Sequence, residues 1–164
     1  MSHLPATPCP LWTRLIALVY DLLAITALVM VVGLLCQLAT HGQLVGAGPH
    51  GRIAWWYQPL QGLLVAIYFL ASWRRGGQTL GMRPWRIRVR TRDGAPVRWR
   101  QALLRLLVAA LPLALLAAAP TLGIPATLWL MLLAWVAWFA VGLVDPRRRA
   151  LHDMAAGTAI YRGD

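Results

Sequence analysis

Long uncharged stretches alternate with short arginine-rich ones along this chain. The first apolar run, residues 15–38, contains a single charge, Asp21. It is long enough to span a hydrocarbon core of about 30 Å. The second run, residues 53–73, lies between Arg52 and Arg74, with Pro59 in its first third between Gln58 and Gln61. Trp55, Trp56 and Tyr57 at one end and Trp73 at the other suit the two interfaces of a bilayer. Residues 106–144 carry no formal charge. One helix of that length would measure roughly 58 Å, about twice the bilayer core, so two crossings fit better. Pro120, Gly123 and Pro125 mark the turn between them. The pattern therefore predicts helices over about 12–38, 53–73, 101–119 and 126–144. Pro112 is expected to kink the third, and Ala110, Ala114 and Ala118 to give it a small-residue packing face.

The segments between these runs are polar. Residues 39–52 are Gly-rich and read as a loop. Residues 74–100 hold nine of the chain's arginines. Within that loop Trp85, Ile87, Val89 and Thr91 alternate with Arg86, Arg88, Arg90 and Arg92, the period of a strand with one apolar and one cationic face. Asp93-Gly94 supplies a turn signal, and Val97-Arg98-Trp99 is expected to return as the second strand of a hairpin. The tail, 145–164, opens with Asp145-Pro146-Arg147-Arg148-Arg149. Its residues 158–161 could form a strand beside that hairpin.

These elements predict an all-α membrane protein. A single domain, 1–164, forms a bundle of about four transmembrane helices with a short Arg-rich, hairpin-like cytoplasmic loop. The composition agrees: 59% of residues are hydrophobic and 13% charged, more apolar than a soluble domain of this size can cover. The first run is too long for a signal-peptide core and contains an acid, so it is expected to stay as a helix. Short arginine-rich loops remain in the cytoplasm. Four crossings put loop 74–100 and the tail on one side, with both termini cytoplasmic; three would separate them. The expected location is a cell membrane.

The net charge of +11 comes entirely from arginine on the basic side; lysine and glutamate are absent. Arginine stays protonated in proteins, so the titratable groups reduce to Asp, His, Tyr and Cys. Asp21 is the most informative of them, because a carboxylate inside an apolar helix costs a few kcal/mol on insertion scales. Arg14, nearly two turns earlier on the same face, lies roughly 10 Å away along the axis. One reading makes Asp21 a proton or cation site whose pKa Arg14 tunes. The other makes it a packing contact, with Gln58 and Gln61 as partners. His152, Asp153 and Asp145 form a second group with Arg147, Arg148 and Arg149. Arg86, Arg88, Arg90 and Arg92, together with that tail triplet, are candidate contacts for anionic inner-leaflet lipid, at roughly 1 kcal/mol per charge. Nucleic-acid binding does not suit a basic loop with membrane neighbours. Cys9 precedes the first run and Cys36 lies near its far end, and both are expected to be unpaired bystanders. The segment 76–81 lacks the lysine of a phosphate-binding P-loop. No catalytic triad, metal-ligand spacing or cofactor motif is apparent, so neither an enzyme nor a cofactor is expected.

Three blocks carry a family resemblance. The first is Arg14-Leu15-Ile16-Ala17 followed by Asp21. The second is Gly77-Gln78-Thr79-Leu80-Gly81 with Ile87-Arg88-Val89 and Asp93-Gly94. The third is Asp145-Pro146 through Leu151-His152-Asp153, then Ala156-Gly157-Thr158. In order and spacing they resemble the RDD family of bacterial membrane proteins, named for one arginine and two aspartates. Met82 stands where the family often has lysine, and Arg86 where it often has glycine. The resemblance implies a small helical membrane bundle with Arg14, Asp21 and Asp153 as signature positions. It also implies transport of an unspecified solute, some members being linked to cation/proton exchange. A bundle this narrow would need a homo-oligomer to enclose a path. The rival class is a non-transporting scaffold or accessory subunit that binds anionic lipid or an acidic partner.

Overall fold

The computed structural model describes residues 9–44, 53–146 and 148–162. Helix α1, Leu11–Ala39, buries only Thr13, Arg14, Ala17 and Asp21, one stripe confined to its first half. Beyond that stripe its large apolar side chains, among them Met30, Val31, Leu34 and Leu35, are exposed. An apolar surface of this extent suits lipid as its solvent. Three helices are long and apolar enough to cross a membrane: α1; α3, Trp99–Leu122; and α4, Ile124–Val144. The remaining long helix, α2, spans Tyr57–Arg75 and ends on two arginines. It starts later than the apolar pattern predicts. Pro59 lies in its first turn, where a missing N–H leaves no helical bond unmade.

Pro112 lies where the winding of α3 changes, and α4 packs against this segment. The helix is α-helical over Trp99–Ala110, tightens to a 3-10 segment over Leu111–Ala118, and regains an α turn at Ala119–Leu122. With no N–H, Pro112 cannot donate to Val108 in the α pattern or to Ala109 in the 3-10 pattern. Both carbonyls receive indole donors from α4: Trp138 to Val108 at 3.3 Å and Trp135 to Ala109 at 3.1 Å. The Val108 carbonyl also accepts from the Leu111 N–H, so its indole contact is a second bond, while at Ala109 the indole offsets the donor that Pro112 lacks; an uncovered carbonyl in hydrocarbon would cost several kcal/mol. The 3-10 winding also corrects the small-residue face. Side chains three apart, not four apart, eclipse there, and Ala114 is exposed. Gly123, at φ 80°, makes the turn from α3 to α4, while Pro120 and Pro125 sit inside the helix ends.

The predicted hairpin does not form. Strand β1, Ile87–Thr91, keeps the expected alternation, with Ile87, Val89 and Thr91 buried. Its partner is β2, Thr158–Arg162, from the tail, antiparallel with Val89 opposite Ile160. Val97 is buried without being in a strand, and Trp99 opens α3. Asp93-Gly94 does turn the chain, with Gly94 at φ 76°, but into a short loop whose Ala95 carbonyl accepts from Thr91 N–H at 3.0 Å. The tail strand carries Ile160 into the same core as Val89, while Ala159, opposite Arg90, is buried on the other face. That core joins Cys9, Ala17, Trp73, Met82, Ile87, Val89, Val97, Ala102 and Ile160. It lies at the end of the bundle where α1 and α3 begin and α2 finishes. Trp73 belongs to it, with its side chain buried against Phe69.

Candidate functional site

Two buried carboxylates organise this end of the molecule. Asp153 sits in the first turn of α5, Leu151–Ala155, where its carboxylate accepts from the Ala150 N–H at 3.2 Å. It is fully buried. Arg14 of α1 donates to one carboxylate oxygen at 3.1 Å, and Arg105 of α3 donates to the other. Each guanidinium also fastens the tail strand: Arg14 reaches the Ile160 carbonyl at 3.4 Å and Arg105 the Thr158 hydroxyl at 3.1 Å. Arg105 lies over the Trp73 ring, 4.9 Å from its centroid, which brings α2 into the cluster. Four segments distant in sequence therefore converge on one acid.

Burial by itself would raise the Asp153 carboxyl, but the facing guanidiniums of Arg105 and Arg14 outweigh it and hold the group below its usual range. Neighbouring His152 is pushed the opposite way from a base's usual gain on pairing. Burial, then the charge of Arg105, lowers it from 6.5 to about 4, so it is neutral near pH 7 and rests edge-on against Phe139. The sign of the linkage follows. Between pH 6.5 and about 4 the unfolded chain takes up a proton at His152 that the folded chain refuses, so stability falls as pH drops through that window. Asp153 adds its own loss only at lower pH, below the ordinary carboxyl value of 3.8. We expect His152→Gln to flatten the slope of unfolding free energy between pH 6.5 and 4 in detergent-solubilised protein; an unchanged slope would exclude His152 as its source.

Asp21 forms the second centre, and Arg14 does not face it. Its partners are neutral donors: the Tyr68 hydroxyl of α2 at 2.7 Å, the Thr79 hydroxyl at 2.5 Å and the Gly81 N–H at 2.9 Å. Tyr68 in turn accepts from the Leu80 N–H at 3.0 Å. The Gly77–Gly81 block thus docks on α1 from one side while Gln78 donates to the Ile87 carbonyl at 3.0 Å on the other. Gly81 has no room for a side chain. A Cβ there would overlap the Ala17 carbonyl and come within 2.7 Å of the Asp21 nitrogen.

The expected partners of Asp21 are therefore corrected. Gln58 and Gln61 lie ten and seven positions before Tyr68 on α2, at least about 10 Å along the axis at 1.5 Å per residue. Arg14 is held by Asp153, not Asp21. The signature positions Arg14, Asp21 and Asp153 therefore fall in two centres, Arg14 with Asp153 in one and Asp21 in the other. Asp145 ends α4, and Arg149 grips it with side-chain bonds of 2.9 Å to each carboxylate oxygen. Of the proposed lipid-facing arginines, Arg88 is exposed and Arg90 half-buried on β1. Arg86 precedes the strand at φ 51°, Arg92 follows it, and Arg148 is exposed in the tail. Arg147 lies outside the described residues. Cys9 and Cys36 are both free.

Arg105 and Tyr68 were not singled out from the sequence. Arg105 looks like the polar flank of an apolar run. The available signal was that it lies within the predicted third helix, one turn past its start, while the tail acid needs a cation. Residues 8–157 match the family model described as the RDD family, and the chain belongs to that family. No curated protein and no solved structure matches it.

Proposed function

We propose that this RDD-family protein is a small transport-type membrane protein in which Asp21 binds a proton or a monovalent cation. The observation that carries this reading is the chemistry around that carboxylate. Asp21 is 3% exposed within the membrane-competent helix α1, and its hydrogen-bond partners among the described residues are neutral donors. An ionised carboxylate so placed retains an unbalanced charge, which a proton or a small cation would neutralise. The geometry of the ends supports four crossings. Helix α1 starts at the Asp153 cluster, α2 finishes beside it, α3 starts in it, and α4 leads back to it. On the rule that arginine-rich segments stay inside, that end is cytoplasmic and holds both termini.

Asp21→Asn separates charge from shape. The amide oxygen can still accept from Tyr68 and Gly81, and the amide N–H can donate to the Thr79 hydroxyl, which accepts as readily as it donates. The variant is expected to fold as the parent does while losing cation-dependent proton flux in proteoliposomes. Unaltered flux in a folded Asp21→Asn protein would eliminate the role.

A second reading is favoured by the basic end itself: a non-transporting scaffold whose cytoplasmic face meets anionic lipid or an acidic partner. The loop and tail are tied into one rigid surface by the β1–β2 pairing and the Asp153 cluster. Here Asp21 serves as the latch of the 77–81 block, and purified protein would move no ion.

A further inference from the structure

Most arginines at the basic end are scattered, but one subset is organised. Arg74 and Arg75 from the last turn of α2, and Arg88 and Arg90 from β1, line a cleft of about 250 Å³ floored by Gly76-Gly77. No acid is among its lining residues. Gly77 creates the arrangement. At φ 68° it turns the chain out of α2 and along β1, where the Val89 N–H donates to its carbonyl at 2.7 Å. A Cβ at Gly77 would come within 2.5 Å of the Val89 carbonyl oxygen, so only glycine permits this approach. The turn sets the basic end of the helix against the cationic face of the strand.

The guanidiniums are partly fixed in advance. Arg74 donates to the Val97 carbonyl at 2.9 Å and lies over the Trp99 ring, 5.5 Å from its centroid. Neither contact cancels its charge. Arg88 and Arg90 stand two residues apart on the same strand face, roughly 7 Å along the strand. The carbonyl end of α2 contributes a partial charge of about −0.5, far short of balancing these arginines. The planar forks of arginine match the oxygens of a phosphate, and such charge-assisted bonds are about twice as strong as neutral ones.

We propose that this cleft is a binding site for a phosphate group, carried either by a lipid headgroup or by a free phosphate. It deepens the scaffold reading, on which it rests for the premise that this end meets anions, and is independent of transport at Asp21.

The test uses full-length protein in nanodiscs. In one arm the lipid is phosphatidylcholine and inorganic phosphate is titrated calorimetrically. In the other the disc contains phosphatidic acid, no free phosphate is present, and native mass spectrometry counts retained lipid. Three charge-defined proteins accompany the parent: Arg88→Ala with Arg90→Ala, Arg88→Lys with Arg90→Lys, and Arg98→Ala with Arg100→Ala. The last pair is exposed and outside the cleft, so it removes the same charge elsewhere. The cleft alanine pair is expected to weaken binding by about tenfold or more, and the outside pair by less than about twofold. The lysine pair, which keeps charge but loses the fork, guards against misfolding and should fall between them. Whichever arm binds identifies the source of the phosphate. Equal losses in the cleft and outside pairs would overturn the site and leave only diffuse surface attraction. Binding by the parent in neither arm would overturn both the site and the anionic-surface reading.

Discussion

Asp153→Ala is expected to leave little folded protein. The substitution strands two guanidiniums, Arg14 and Arg105, that are buried to 4% and 2% exposure. Removing one partner of a buried ion pair costs about 3–5 kcal/mol, and here two partners lose their acid together. Against a typical total stability of about 5–15 kcal/mol, that is enough to detach the tail or unfold the chain. Arg14→Leu should be milder. The cluster holds two arginines, one aspartate and a neutral histidine, so losing one arginine leaves a balanced pair with Arg105. The yield of monodisperse protein after detergent extraction should therefore rank parent, Arg14→Leu, Asp153→Ala. A reversed order of the two variants would show that the acid is not the centre of the cluster.

Gly81→Ala is the second large effect. Its Cβ meets backbone, the Ala17 carbonyl and the Asp21 nitrogen, and neither can swing away as a side-chain tip would. Relief requires the 77–81 block to lift from α1, which breaks the Thr79 and Gly81 bonds to Asp21. Overpacking costs about 1–3 kcal/mol. Each buried hydrogen-bonding group left unsatisfied adds about 1–3 kcal/mol more. Gly62→Ala gives the opposite sign. That glycine lies within α2 with open space around it, and alanine is the better helix former by about 1 kcal/mol. Denaturant unfolding in micelles should show Gly81→Ala strongly destabilised and Gly62→Ala unchanged or slightly improved.

Much of the scaffold was legible because bilayers impose simple lengths and charge rules. The apolar runs mark α1, α3 and α4 to within a few residues, and the alternation around Val89 marks β1. The signature residues Arg14, Asp21 and Asp153 are buried and bonded. Their pairing was not legible. Arg14 shares a helix face with Asp21, so local periodicity favoured that pair, but it bonds an acid 139 positions away. Nothing in a helical or strand period reports a contact of that range. The same limit explains the hairpin. Val97-Arg98-Trp99 was the nearest candidate strand, and a turn signal preceded it, yet β1 pairs with the tail strand, which sets Ile160 opposite Val89. Tyr68 was hidden as one aromatic in an apolar run, and only the fold shows its hydroxyl on Asp21.

Asp153 clamps the tail over the start of α1. Cys9 reports on it directly. The residue is fully buried, its N–H bonds the Ile160 carbonyl of β2 at 3.3 Å, and burial pushes its thiol above 9.0. In a Cys36→Ser background, the rate of maleimide labelling at Cys9 in intact membranes should be slow, and should rise many-fold when Asp153→Asn releases the tail. Rapid labelling with Asp153 present, or a rate indifferent to its replacement, would contradict the clamp.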